Sequence, residues 1–203
     1  MYLQFGKRIF DLTVAFIGLI ILAVPMAIIA ISIWITSGIP ILFIQQRVGK
    51  GGEIFSVKKF RTMSVRTVKD SSITVAGDLR VTPIGRYLRR WKLDELPQLW
   101  NVLVGEMSLV GPRPDVPGYA DKLQGDDRKL LLLRPGITGP ATLAYRNEEE
   151  ILAKVSDPVQ YNNQIIYPDK VRINLEYMEN CSLVQDLKYI LATIGVRSNR
   201  VAD

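Results

Sequence analysis

Between Asp11 and Arg47 the chain carries no charged side chain, and within that gap Leu12 to Ile35 form a nearly unbroken apolar run of 24 residues. As a helix rising 1.5 Å per residue, the run measures about 36 Å, enough to cross a hydrocarbon core of about 30 Å. It is longer than the apolar region of a cleaved signal, and no small-x-small site closes it. A buried soluble helix is rarely apolar on every face over such a length. Pro25 interrupts the run near its middle, and a proline removes one helical hydrogen bond and clashes with the preceding turn. Leu12 to Val24 alone reaches only about 20 Å. Two arrangements follow. A sharp bend at Pro25 gives a re-entrant helix that enters and leaves by one face; a plain kinked transmembrane helix puts the N-terminus outside. Lys7 and Arg8 at one end, and Arg47, Lys50, Lys58, Lys59 and Arg61 after the other, make both ends cytoplasmic in character, which favours the bend.

The remaining length of a 203-residue chain is enough for one domain with a core. The absence of histidine excludes Ser-His-Asp triads, Cys-His dyads and His-ligated metals, and the single Cys181 excludes an internal disulfide or a Cys-rich zinc site. Acid–base or nucleophilic work falls to Asp, Glu, Lys, Tyr, Ser or Cys181, and Cys181 itself reads as a small buried residue. Charge is unevenly placed: residues 1–93 carry a net +10 and residues 94–203 a net −4. A basic front half implies a polyanionic partner, whether nucleic acid, anionic lipid or a phosphorylated substrate.

After Trp34, Thr36-Ser37-Gly38 and Pro40 end the helical pattern. Ile41 to Gln45 and Ile54 to Met63 read as strands joined through Gly49-Lys50-Gly51-Gly52 in a β-hairpin. Residues 64–83 read as a mobile polar loop. Ile84, Tyr87, Leu88 and Trp91 share one helical face opposite Arg86, Arg89 and Arg90, a pattern suited to lipid headgroups or to packing on a core. Leu96, Leu99, Trp100 and Leu103 repeat the period with Pro97 in the first turn. Residues 104–146, rich in Gly and Pro, read as irregular. Pro168 opens a helix to Glu179, and Leu183, Leu187, Ile190, Leu191 and Ile194 mark a last amphipathic helix.

The sharpest chemical cluster is Lys92-Leu93-Asp94-Glu95-Leu96-Pro97-Gln98-Leu99, which puts two carboxylates at a predicted helix N-terminus behind Arg89, Arg90 and Lys92. Acids there serve as caps, but the same free N–H groups and guanidinium groups receive phosphate. An aspartate can attack phosphorus and form an acyl phosphate, given cations to offset anion–anion repulsion of about 4 kcal/mol at 4 Å and an effective dielectric of 20. In Gly111-Pro112-Arg113-Pro114 the flanking prolines limit the backbone and suit Arg113 to bidentate phosphate binding, the plainer alternative being a Pro-rich turn with a solvated arginine. Lys59 and Arg61, two apart in a predicted strand, share a face, which either grips phosphate or is a solvated strand face. Arg134-Pro135-Gly136-Ile137-Thr138-Gly139 reads as a loop, either an ordinary turn or one whose N–H groups meet an anion. Arg146-Asn147 with the acidic run after it reads as a solvated helix start.

In this order and spacing, Lys7-Arg8 with Asp11, the run broken by Pro25, Gln46-Arg47-Val48-Gly49, Lys59-Phe60-Arg61-Thr62-Met63, Leu93-Asp94-Glu95-Leu96-Pro97-Gln98, Gly105-Glu106-Met107-Ser108 leading into Gly111-Pro112-Arg113-Pro114, and Arg134-Pro135-Gly136-Ile137-Thr138-Gly139 resemble the small monotopic phosphoglycosyl transferases. This bacterial sugar transferase family starts glycan assembly on polyprenol phosphate, and the resemblance runs from Lys7 to about Ile194. It implies a predominantly helical α/β fold. Residues 1–38 would form a re-entrant, Pro25-bent membrane anchor, and residues 39–203 a catalytic domain with a short β-hairpin and interfacial amphipathic helices. The protein would be monotopic, on the cytoplasmic face of the bacterial inner membrane. The implied reaction moves a phosphosugar from a UDP-sugar to polyprenol (undecaprenyl) phosphate, releases UMP, passes through a covalent enzyme intermediate and needs Mg²⁺.

By motif position the resemblance implies that Asp94 would be the nucleophile and metal ligand and Glu95 its catalytic partner. Lys59, Arg61, Arg89 and Arg113 would bind phosphate, and Thr138 and Arg146 would complete the substrate-binding set. Membrane lipid would be a further partner and nucleic acid would not; downstream glycosyltransferases and a dimer would be compatible. Where the family commonly has Ser-Pro at the break, this chain has Val24-Pro25, so the bend needs other support. Two rivals stay open: a membrane-anchored adaptor in which Asp94 only caps a helix, and a membrane phosphatase or pyrophosphatase with water as acceptor.

Overall fold

A computed structural model describes residues 2–64 and 80–198. The expected loop over 64–83 therefore falls largely on residues 65–79, which lie outside the described residues. The chain is mostly helical. A π-helical turn at Tyr2–Gly6 runs into α1 (Lys7–Ser37), which contains Pro25 and is helical on both sides of it. Gly38, at φ 72°, ends α1 and donates to the Trp34 carbonyl. Thr13, Ser32 and Thr36 donate their hydroxyls to the carbonyls of Ile9, Ile28 and Ser32, which satisfies polar groups on an apolar helix. None of these reaches the Ile21 carbonyl that Pro25 leaves without its helical donor.

The helix α1 is long and apolar enough to cross a membrane, yet one stripe of it packs on the rest of the chain along most of its length. Ala15, Leu19 and Leu22 join a core with Leu99, Val102 and Leu109. Past the proline, Met26, Ile29 and Ile33 join a second core with Phe60 and Leu88. The opposite face is apolar and bare: Phe16, Ile20, Val24, Ile28, Ile31 and Ile35 are all exposed. Polar contacts fasten both ends to the same body. At the start, Asp186 accepts from Lys7 Nζ at 2.6 Å and Tyr2 Oη at 2.7 Å, Arg8 donates to the Val102 and Leu103 carbonyls, and Asp11 Oδ1 accepts from the Leu109 N–H at 3.0 Å. At the far end Arg61 Nη2 donates to the Ser37 and Gly38 carbonyls.

Strands β1 (Leu42–Val48) and β2 (Ile54–Phe60) form the expected antiparallel hairpin, with Leu42 opposite Phe60 and Val48 opposite Ile54. Alternation puts Phe55, Val57 and Lys59 on one face of β2. Phe55 and Val57 are buried core, so Lys59 is delivered inward with them. Helix α2 (Pro83–Arg90) starts at Thr82, whose Oγ1 accepts from the Gly85 N–H. Lys92, left-handed at φ 54°, then turns the chain into a single 3₁₀ turn, Leu93–Glu95. Helix α3 (Gln98–Val104) begins only after Pro97. The two carboxylates thus precede α3 on a turn of their own instead of capping its first residues, because Lys92 breaks the helical path and Pro97 starts a new one.

Residues 104–146 are more regular than their composition implies. Strands β3 (Ser108–Val110) and β4 (Gly136–Thr138) pair in parallel, and α4 (Pro140–Ala144) follows. Their glycines serve close approach: a Cβ on Gly136 would stand 2.1 Å from the Gly111 nitrogen. The Gly136 N–H donates to the Pro112 carbonyl and the Gly111 N–H to the Thr138 carbonyl. These amides are spent on the pairing, which corrects the reading of this segment as a loop. Short helices α5 (Glu148–Leu152) and α6 (Pro158–Tyr161) lead to α7 (Tyr167–Glu179) and α8 (Leu183–Ser198), the two helices expected at the end. Cys181 between them is half-buried, its thiol on the Tyr177 hydroxyl.

Asn101 ties these pieces together. It is fully buried, donates Nδ2 to the Ser56 carbonyl and to Glu106 Oε2, and accepts the Lys58 N–H at Oδ1. Removing it strands buried backbone groups on β2. We expect Asn101→Ala to destabilise the fold by about 3 kcal/mol, read as a lowered urea midpoint in detergent; an unchanged midpoint would contradict this account.

Candidate active site

Asp94 and Glu95 are both buried, at 7 % exposure. Glu95 Oε1 accepts from Lys59 Nζ and from Arg113 Nη2, each at 3.0 Å. Burial opposes ionisation of Glu95, but Arg113 and Lys59 overcome it and hold the carboxyl well below the usual glutamate range. The reverse holds next door. Burial pushes the Asp94 carboxyl up, the Glu95 charge adds to that, and Lys59, Lys92 and Arg89 pull back. Asp94 Oδ1 is buried and has no hydrogen-bond partner. One carboxylate is thus neutralised by fixed cations, while its neighbour keeps an oxygen in reserve.

The cations arrive from separate segments. Lys59 comes on the inward face of β2, its pKa lowered by burial and by Arg113 against the pull of Glu95. Arg113 comes from the Pro-flanked segment and keeps 43 % of its side chain exposed. That segment is held by β1: Arg47 donates to the Pro114 carbonyl at 3.1 Å and to Gln45 Oε1 at 2.6 Å, and the Val48 N–H donates to the Asp115 carbonyl. From the sequence Arg47 is only one of the cations that follow the apolar run and a member of a quoted motif; the structure adds this positioning contact. Arg89 is oriented by Thr62, whose Oγ1 accepts its Nε at 3.1 Å.

Lys59, Arg61, Arg89, Asp94, Glu95, Arg113, Thr138 and Arg146 all line one open cavity of about 1940 Å³. Four of them, Lys59, Asp94, Glu95 and Arg113, form the charged centre. Arg61 does not grip with Lys59, because β2 ends at Phe60 and the next residue turns its guanidinium to the end of α1. Thr138 shares its hydroxyl with Thr193 of α8 at 2.6 Å. Arg146 stands exposed at the rim. Among the described residues no group of three Asp, Glu, His or Cys could hold a metal alone. The unpartnered Asp94 oxygen nevertheless suits a hard divalent ion that takes one carboxylate and completes its shell with phosphate oxygens and water, as Mg²⁺ does.

Residues 2–200 match the family model described as bacterial sugar transferase, and the chain belongs to that family. It is 35 % identical over 193 residues to the UDP-glucose:undecaprenyl-phosphate glucose-1-phosphate transferase of Klebsiella pneumoniae, covering 93 % of this chain and 39 % of that one. It is 33 % identical over 209 residues to the UDP-galactose-lipid carrier transferase of Erwinia amylovora, covering 95 % and 40 %. It is also 33 % identical over 201 residues to the UDP-N-acetylgalactosamine-undecaprenyl-phosphate N-acetylgalactosaminephosphotransferase of Aeromonas hydrophila, covering 94 % and 43 %. The chain thus spans about two fifths of the length of these relatives.

Glu95→Gln mimics the protonated acid and leaves Lys59 and Arg113 without their counter-charge. Because the folded pKa of Glu95 is depressed, its ionised form stabilises the fold above the unfolded value of about 4.3 and stops doing so as pH falls through the folded pKa. The variant should be about 3 kcal/mol less stable at pH 7, with the gap to wild type narrowing as pH drops below the usual glutamate range. Urea titrations at pH 7 and in acid measure this; a gap independent of pH would contradict it.

Proposed function

We propose that this chain is a phosphoglycosyl transferase that moves a sugar 1-phosphate from a UDP-sugar to polyprenol (undecaprenyl) phosphate and releases UMP, the first membrane step of a bacterial glycan assembly. The observation that carries the reading is the pair of unlike carboxylates: Glu95 bound by Lys59 and Arg113, and Asp94 with a buried oxygen that has no partner. Membership in the bacterial sugar transferase family supports it.

In the first step an Asp94 carboxylate oxygen bonds to the sugar-bearing phosphorus. The bond from that phosphorus to the bridging oxygen breaks, and its electron pair leaves with UMP. In the second step a phosphate oxygen of the polyprenol phosphate bonds to the same phosphorus, and the acyl-phosphate bond returns its electrons to Asp94. Both nucleophiles are already anions and both leaving groups depart as anions, so neither step needs a proton. A chain without histidine therefore lacks nothing the chemistry requires. What the site must supply is charge. Arg113 and Arg89 line the cavity beside Asp94, and Glu95 holds Lys59 and Arg113 in position. Asp94 and the substrate phosphates would hold Mg²⁺, which supplies further positive charge to the diphosphate when bound.

The packing of α1 supports the anchor. Both ends are fastened by polar contacts to one body, and the middle offers bare apolar side chains. A helix tied to the same body at Lys7 and at Ser37 supports an anchor that enters and leaves one leaflet, with Pro25 at the deepest point and the body at the cytoplasmic face. The adaptor reading needs Asp94 as a helix cap, and Asp94 instead precedes α3 on a separate turn.

Asp94→Asn should leave UMP release from any UDP-sugar at least 1000-fold below wild type while melting at the same temperature. With wild type, UDP-sugar without acceptor should add one phosphosugar to Asp94, seen by mass spectrometry of a quenched digest; near-native UMP release by the variant would reject the nucleophile. For the anchor, Leu3→Cys and Ile44→Cys, each in a Cys181→Ser background, should both react with an impermeant maleimide only from the cytoplasmic side. Labelling from opposite sides would mean a full span.

A further inference from the structure

Among the described residues, six buried side-chain atoms have no hydrogen-bond partner, and five of them belong to residues that line the cavity. Arg61 and Asp94 account for two. The other three, Thr142 Oγ1, Tyr167 Oη and Asn174 Oδ1, lie on α4 and α7, which pack against each other. Each such atom leaves its desolvation uncompensated, so their grouping on one wall marks a place where a further polar group completes the bonding.

The wall has a regular origin. Tyr167, Lys170, Val171 and Asn174 follow each other at i, i+3, i+4 and i+7 on α7, and all four line the cavity. Polar residues thus occupy a helix face that ordinarily packs with apolar ones. Asn174 is only 4 % exposed. Asp115, two residues past Arg113, joins the wall; the Tyr167 hydroxyl lies beside it without closing a normal hydrogen bond. Burial pushes the Asp115 carboxyl up to about 6, against the pull of Lys170, the facing Tyr167 hydroxyl, Arg47 and Arg113. Lys170 pairs with Glu148 at 2.6 Å and stands over the Tyr145 ring at 5.6 Å from its centroid.

We infer that this α4–α7 wall, with Asp115, is the subsite that reads the hexose of the donor. The inference rests on the donor proposed above and assigns the residues that tell one sugar from another. The wall carries acidic groups and hydroxyls, which suit a neutral ligand better than a phosphate. Uracil offers one N–H and two carbonyls, whereas every hexose hydroxyl both donates and accepts. Mixed partners such as Asp115, Thr142, Tyr167 and Asn174 match the hexose. The wall also adjoins the phosphate cations: Arg113 feels the charges of Glu148 and Asp115 feels Arg113. The relatives' names carry glucose, galactose and N-acetylgalactosamine. Sugars so alike are separated by hydrogen bonds to single hydroxyl or acetamido groups.

The test is calorimetric binding by the full chain in detergent, comparing wild type, Asn174→Ala and the near-isosteric Thr142→Val, with melting temperatures as a check on folding. The ligands are UMP, UDP-glucose, UDP-galactose and their two N-acetyl counterparts. Both variants should bind UMP within twofold of wild type, lose about tenfold for the best-bound UDP-hexose, and discriminate less among the four. A parallel loss for UMP and all UDP-hexoses would make the wall a nucleotide site and overturn the assignment. Unchanged discrimination in both variants would overturn it too, as would a wild type that binds no UDP-hexose. A wild type that binds and discriminates UDP-hexoses, yet releases no UMP with undecaprenyl phosphate, would sink the transfer reaction and leave the subsite standing.

Discussion

One carboxylate organises this site. Glu95 Oε1 receives an ammonium from the hairpin and a guanidinium from the Pro-flanked segment, so three stretches distant in sequence are brought to one oxygen. A buried charge persists only where fixed partners replace its water. The position of Glu95 therefore requires β2 to point Lys59 inward, β1 to hold Pro114 and Asp115, and the turn after Lys92 to lift both acids from α3. Asp94 gains from this without taking part. Its neighbour absorbs the strongest cations, and it is left buried, its carboxyl pushed above the usual aspartate value by burial and by Glu95, with an oxygen still to be used.

The scaffold around that oxygen is built from contacts that do two things at once. Asn101 closes the end of α3, where its carbonyl accepts three N–H groups, and its side chain bonds to β2 within three residues of Lys59. Arg61 continues the strand that carries Lys59 and holds the last carbonyls of α1. Arg8 takes carbonyls near the end of α3 while fixing the start of α1, a favourable place for a cation at a helix C-terminus. The long helix and the acidic turn thus share their supports.

Some of this was legible in the residues. The apolar run, the glycine-closed hairpin, the amphipathic α2, and helices α7 and α8 follow from periodicity and punctuation. Alternation alone gives the residues that share a face with Lys59, and the burial of Phe55 and Val57 shows that this face points inward. Arg61 departs from that face because alternation holds only while the strand lasts, and β2 stops one residue earlier. Strands β3 and β4 leave no periodic trace, being three residues each, and Gly111, Gly136 and Gly139 in and beside them permit close backbone crossing. The separate turn of Asp94 and Glu95 depends on a left-handed Lys92, a conformation no local composition announces. The polar face of α7 is invisible in the sequence for another reason: nothing around Tyr167, Lys170 and Asn174 tells a polar side chain that faces water from one that lines a cavity.

The seating of α1 has a practical consequence for anyone handling this protein. Ala15 and Ile33 are fully buried, each in a core that also holds residues close to the acidic turn. The apolar helix is therefore a wall of the folded body and not a leash attached to it. Clipping the chain after Gly38 to obtain a water-soluble fragment would uncover Leu99, Val102, Phe60 and Leu88 together, so solubility has to be sought by wrapping the outer face of the helix in amphiphile.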